Sequence, residues 1–410
     1  MAHTIFLIII IIFCFDFIID KILDRLNTNN WSAELPEKGK DIYDAEKYRK
    51  SREYHVAKDK FSNLSGILSF IITLALLFGN GFAMIDNWLR TYTENPIVLS
   101  LLFFAVIGIA SDIIGTPFAL YDTFVIEEKF GFNKTTLKTF FIDKLKGWVL
   151  GALVGGLLLS AIVWIYLNTG QYFWLLAWGL MVVFMIFATM FYSSVVLPLF
   201  NKLTPLPEGE LRSAIETYCN KVGFKLDNLF VMDGSKRSSK SNAFFSGLGS
   251  KKKIVLFDTL IQQHTTEELV AVLAHEVGHY KKKHTLQGLI TGIAQTGVML
   301  FVLSLFLGNP NLSAALGASQ SSFHIDILAF GLLYGPVSEI LGIITNMVSR
   351  KNEYEADRYA GETYNSASLI SALKKLSSHN LSNLTPHPAY IFVHYSHPPV
   401  LKRVEELEKV

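Results

Sequence analysis

The chain has 410 residues, 50% of them hydrophobic, and a formal net charge of +2; its mean hydropathy is positive, at +0.34. So even a charge balance excludes the basic footprint of a nucleic-acid binder. The two cysteines, Cys14 in an apolar block and Cys219 in a polar region, exclude a disulfide framework. Length alone would permit about two or three soluble domains, but the apolar residues come in long unbroken blocks, and a helix needs roughly 20 of them to cross a bilayer.

Taken in chain order, seven blocks reach or approach that length: residues 4–22, 64–85, 96–120, 148–167, 172–195, 285–307 and 325–348. The first has no Lys or Arg in front of it and no small-x-small cleavage site behind it, which marks an anchor rather than a signal peptide. Lys and Arg are dense after the first, third, fifth and seventh blocks, as at Lys47, Arg49, Lys50 and Arg52, and then Lys129, Lys134 and Lys138. The alternate loops are nearly bare, with Arg90 the exception. This alternation predicts an N-terminus outside or lumenal, with the large polar segments and the C-terminus cytoplasmic. If the first block did not cross, only the N-terminus would change sides.

Polar groups interrupt the blocks at Asn80, Asp112, Asp326 and Glu339. Charges in a span usually face protein or water, so a water-filled cavity between helices is one reading, strongest for Glu339. For Asp112 and Asp326, contact with headgroups near helix ends is the other. Gly335-Pro336 is expected to break the seventh helix near its middle.

Two polar segments remain. Residues 200–284 read as mixed α and β: a helix over 211–222, short strands over 228–232 and 254–257, and between them a polar run, 234–242, that leads into Ala243-Phe244-Phe245. Thr265-x-x-Glu268 is a capping-box signature, and no breaker follows between 267 and 307. One helix, or two with a small kink, should therefore run from the polar segment into the membrane, with His279 and Thr285 about 9 Å apart. The chain divides on this reading into membrane segments at 1–199 and 285–349, a catalytic region at 200–284 and a catalytic tail at 350–410.

His275-Glu276-Val277-Gly278-His279 carries the chemistry. Two imidazoles four residues apart project from one helix face and can share one Zn²⁺. Glu276 can reach a water at an open coordination position as general base, and Gly278 leaves room where another backbone approaches. A catalytic zinc needs a third ligand. The tail offers Glu353, with Asp357 on the same helical face to accept a hydrogen bond from the second nitrogen of a ligating His; Glu355 points elsewhere.

These residues carry a resemblance. With Thr123-Phe-Val-Ile-Glu-Glu-Lys-Phe-Gly-Phe132, Leu203-Thr-Pro-Leu-Pro-Glu-Gly209, Gly234-Ser-Lys-Arg-Ser-Ser239, Ser241-Asn-Ala243, Ile254-Val-Leu-Phe-Asp-Thr-Leu260, the Glu353 to Asp357 run and His394-Tyr-Ser-His-Pro-Pro399, the chain resembles the M48 zinc metallopeptidases of the CAAX prenyl protease 1 (Ste24) type over nearly its whole length. The resemblance implies a mainly α fold, with seven spanning helices around an intramembrane chamber and a cytoplasmic zincin-like α+β metalloprotease domain. It implies zinc on His275, His279 and Glu353, Glu276 as catalytic base, and Asn242 and Ala243 on an edge strand that pairs with extended substrate. His397 and Arg403, weak signals by themselves, are placed by it near the scissile bond. The implied partners are the bilayer and a lipidated or membrane-associated peptide. The implied reaction removes the last three residues of a prenylated Cys-a-a-X protein. A quality-control protease of the heat-shock type and a catalytically silent binding protein are the other readings.

Overall fold

In the computed structural model, which describes residues 1–32, 34–225, 228–248 and 252–410, the first half of the chain is helical: α1 (Ala2–Asn29), α2 (Ala45–Phe78), α3 (Gly81–Arg90), α4 (Pro96–Tyr121), α5 (Leu137–Leu150), α6 (Gly156–Thr169), α7 (Phe173–Phe191) and α8 (Leu197–Phe200). Among the described residues, six helical runs are long and apolar enough to cross a membrane. One of them, Leu137–Phe200, has 64 residues, about three times the length a crossing requires. It turns at Gly170, whose φ of +52° lies in the left-handed region, and α6 and α7 pack against each other beyond the turn. It therefore contains both the fourth and the fifth expected blocks. Side chains such as Leu157 (73% exposed) and Val183 (68%) stand on the outer faces of these helices; an apolar belt of this kind requires lipid around it.

The second half alternates. Strand β1 (Leu203–Pro205) and helix α9 (Glu210–Lys221) are followed by β2 (Leu229–Met232), β3 (Ala243–Ser246) and β4 (Lys253–Phe257), and then by α10 (Asp258–Gln263) and α11 (Thr266–Lys281). Membrane helix α12 (His284–Phe306), the short α13 (Pro310–Ala315), α14 (Phe323–Thr363), α15 (Ser366–His379), α16 (Pro388–His394) and α17 (Val400–Leu407) complete the chain. The sheet order is β1-β2-β4-β3, parallel only between β2 and β4, so β3 is an edge strand.

Helix α11 is the centre of the core. Its N-cap Thr265 accepts from Glu268 N–H while Glu268 accepts from Thr265 N–H, the reciprocal capping box that the sequence predicts. Leu269, Val270, Leu273, Ala274 and Val277 are buried against Ile215 and Cys219 of α9, Leu256 of β4, and Leu369 and Leu373 of α15. Truncating a wholly buried Leu such as Leu273 to Ala costs about 2–5 kcal/mol, so the helix bearing the histidines is firmly packed.

One expectation fails, and another takes its two-helix form. Helix α14 is unbroken from Phe323 to Thr363, with Pro336 inside it. The backbone of a span has no water to bond with, which favours unbroken helix, and α1 packs along α14 here: a Cβ on Gly335 would stand 3.0 Å from Asp16 Oδ2. Conversely, the stretch with no sequence breaker is broken. Lys283 has φ +61°, α11 ends before it, and α12 starts at His284. Of the interrupting charges, Asp326 is wholly buried and accepts from Ser313 and Ser321. Asp112 pairs with Lys144 at 2.6 Å. Protein partners therefore engage both oxygens of Asp326 and one oxygen of Asp112.

Candidate active site

Helices α11 and α14 cross at Gly278, where a Cβ would meet Ala356 Cα and O at 3.1 Å. This close approach sets Glu353 of α14 opposite both histidines: His279 Nε2 is 3.3 Å from Glu353 Oε1, and His275 Nε2 is 3.6 Å from Oε2. The two Nε2 atoms are 3.1 Å apart, and ligand atoms of the three side chains all lie within 4.8 Å of one another.

The outer nitrogens are committed elsewhere. His275 Nδ1 donates to Asp357 Oδ1 at 2.9 Å. Asp357 is also gripped by Arg403 through two parallel bonds, Nε to Oδ2 at 2.8 Å and Nη2 to Oδ1 at 2.6 Å, the bidentate geometry that makes Arg–carboxylate pairs strong. His279 Nδ1 lies 2.9 Å from His284 Nδ1, and His284 Nε2 lies 3.3 Å from Glu355 Oε2. Sequence reasoning missed this second contact. On a continuous helix, residues five apart point about 140° away from each other; the turn at Lys283 brings His284 back.

In the tautomer that puts both ring protons on Nδ1, the two Nε2 lone pairs face each other across 3.1 Å. Beside them Glu353 Oε2 is buried and has no hydrogen-bond partner, although His397 Nδ1 is 3.0 Å and Arg403 Nη1 3.3 Å away. Two imidazole nitrogens and a carboxylate oxygen converging on one point form a donor set for a cation. This donor set fits Zn²⁺, which takes His and carboxylate ligands with an open position.

Glu276 is half buried on the same helix, facing a cavity of about 870 Å³. Burial raises its carboxyl above the usual range, and Glu353 adds to this; His275, His279 and the N–H of Phe245 on β3 pull the other way. For Arg403, burial alone would weaken the charge, but Asp357 and Glu353 more than offset it and the guanidinium is held firmly cationic. The cavity extends from the histidines along Thr291 and Gln295 of α12 and Thr345 and Ser349 of α14, and Asn242 and Ala243 line its other side. Ala243 opens the edge strand, and its N–H is taken by Asn242 Oδ1 at 2.9 Å. His397 is exposed, with 65% of its side chain free. A metal-type triad, a carboxylate beside it and an edge strand along a polar cavity among membrane helices together define a membrane-embedded metallopeptidase.

Comparison with known proteins gives the same class. The family model of the CAAX prenyl protease N-terminal region, five membrane helices, matches residues 24–202, and that of peptidase family M48 matches residues 205–410. A CAAX prenyl protease 1 homolog of Oryza sativa is 37% identical over 91% of this chain and 90% of its own length. The human CAAX prenyl protease 1 homolog is 33% identical over 91% and 88%. The crystal structure of S. mikatae Ste24p superposes with a TM-score of 0.93 at 33% identity, covering 98% of this chain and 99% of that one. The chain belongs to peptidase family M48 and is a multi-pass membrane zinc metalloprotease of the Ste24 type.

Proposed function

We propose that His275, His279 and Glu353 hold one Zn²⁺ per chain, that Glu276 is the general base, and that the substrate is a prenylated protein or peptide ending in Cys-a-a-X, cut within its last residues. The observation that carries the metal site is the convergence of ligand atoms of His275, His279 and Glu353 within 4.8 Å of one another. Bound zinc would supply an acidified water and a polarised scissile carbonyl.

The rest falls to the protein. Glu276, beside His275 on the cavity wall, takes the water proton and hands it to the leaving amine. His397, exposed on the cavity side, donates to the developing oxyanion. Arg403 has its fork filled by Asp357, so it orients His275 through Asp357 rather than binding substrate. An extended peptide adds to the free edge of β3 at Asn242 and Ala243, which holds it largely by backbone and leaves its sequence open. The apolar walls between the membrane helices accept the prenyl chain. The relatives' names support this substrate class, and the dense Lys and Arg of alternate loops support catalytic segments on the cytoplasmic side. The four-part division at residues 199, 284 and 349 follows the same reading.

The test is cleavage of a farnesylated Cys-a-a-X peptide by the purified protein in detergent, beside the same peptide without lipid and beside Glu276→Gln. Cleavage that requires both Glu276 and the farnesyl group is the expected result. Cleavage indifferent to the lipid would remove the prenyl-protein assignment and favour a general membrane-protein protease.

A further inference from the structure

We propose that His284 is a positioning residue for the metal site: it fixes the tautomer and ring plane of His279, and Glu355 fixes His284 in turn. The proposal rests on the zinc reading above. His279 Nδ1 and His284 Nδ1 are 2.9 Å apart, so one carries a proton and the other a lone pair. If His279 presents the lone pair of Nε2 to the point it shares with His275, its proton is on Nδ1. His284 is then the acceptor at Nδ1 and has its own proton on Nε2, aimed at Glu355 Oε2 3.3 Å away. One tautomer assignment satisfies every contact in the chain Glu355–His284–His279.

The backbone is shaped for this contact. Lys283 occupies the left-handed region at φ +61°, a conformation that costs a non-glycine residue about 1 kcal/mol or more, and His284 follows as the first residue of α12, 8% exposed. Its ring stands edge-on to His279, with centroids 5.0 Å apart and planes at 74°. Lys351 is 3.8 Å from the other oxygen of Glu355, too far to compete for Oε2.

Helix α14 therefore supplies a carboxylate to each histidine, Asp357 directly to His275 and Glu355 through His284 to His279, both on the C-terminal side of Glu353 in sequence. Because His284 begins a membrane helix, the relay also ties the orientation of His279 to the position of α12. Outer hydrogen-bond partners of a ligating His typically contribute 10–100-fold in metal affinity.

The test measures zinc affinity by chelator competition on the full-length protein in detergent, with the visible spectrum of the Co²⁺-loaded protein as a second readout, in His284→Ala, His284→Asn, Glu355→Ala and His275→Ala. His284→Ala is expected to weaken zinc binding by about 10–100-fold and to shift the cobalt bands. His284→Asn, whose Oδ1 can accept from His279 Nδ1, should recover most of both. Glu355→Ala is a half-exposed substitution that does not threaten folding; it should weaken binding severalfold in wild-type background and add nothing to His284→Ala. Wild-type affinity and spectrum in both His284→Ala and Glu355→Ala, with zinc lost in His275→Ala, would overturn the relay and leave the zinc site standing. Wild-type zinc affinity in His275→Ala would overturn the zinc reading itself and this proposal with it.

Discussion

The two ends of helix α14 can be set side by side. Near its C-terminal end, Asp357 accepts from His275 Nδ1 at 2.9 Å and is gripped by Arg403. At its N-terminal end, His324 Nε2 lies 2.8 Å from Asp86 Oδ1, and Asp86 is gripped by Arg90 at 2.9 Å. The groups are the same: a carboxylate, an imidazole and a guanidinium. They differ in what the second imidazole nitrogen does. His324 Nδ1 is met by Ser100 Oγ at 3.2 Å, and Asp86, Ser100, His324 and the neighbouring Asp326 are each no more than 1% exposed. The second nitrogen of His275 instead faces His279 Nε2, the Glu353 carboxylate and a cavity. A polar network that is closed on itself holds helices together; one left unfinished on a cavity is a site.

Substitutions sharpen the contrast. The largest effect is expected for Glu353→Gln, which removes the charged ligand: turnover should fall at least about a thousandfold and the purified protein should hold no stoichiometric zinc. Asp357→Ala should weaken zinc affinity by about 10–100-fold and remove the bidentate partner of buried Arg403, leaving it only Glu353 at 3.3 Å, at a cost of about 3 kcal/mol. Asp86→Ala should lose about 3 kcal/mol by the same argument, read as a lower Tm in detergent, while zinc affinity and kcat at a permissive temperature stay at wild type. If Asp86→Ala lowered zinc affinity as Asp357→Ala does, the two ends would not be functionally separate.

Gly278→Ala probes the crossing that makes the open site. A Cβ 3.1 Å from the backbone of Ala356 must push α11 off α14, at about 1–3 kcal/mol. The loss should appear in zinc affinity more than in Tm, because α11 carries His275 and His279 and α14 carries Glu353.

How far this was legible in the sequence follows from the same particulars. His275, Glu276 and His279 share a face of one helix, so spacing alone assembles them, and Glu353 and Asp357 are readable for the same reason. The apolar blocks and the capping box at Thr265 are local signals as well. What spacing cannot convey is backbone conformation at an unremarkable residue. Nothing marks Lys283 as left-handed, so the turn that separates α11 from α12, and the return of His284 to His279, were invisible. Pro336 failed in the opposite direction, since the local rule for proline does not include a bilayer and a neighbouring helix. The closed network of Asp86, Ser100 and His324 joins residues more than two hundred positions apart, with no motif to announce it.

The smallest predicted effect concerns pH. Burial alone would raise Glu268, but Lys375, Ser371 and the Thr265 N–H hold it below its ordinary value. A carboxyl lowered on folding stabilises above its unfolded pKa, and that contribution is lost as pH falls through the folded one. Tm should therefore decline as pH drops from neutral into the acid range. Glu268→Gln should lose about 1 kcal/mol at neutral pH and show a shallower acid decline.

The most direct test of the central claim is zinc content measured together with turnover in Glu276→Gln and Glu353→Gln. The account predicts that Glu276→Gln retains a full complement of zinc and does not cleave, whereas Glu353→Gln loses both. Near wild-type cleavage by Glu276→Gln, or full zinc occupancy in Glu353→Gln, would contradict it.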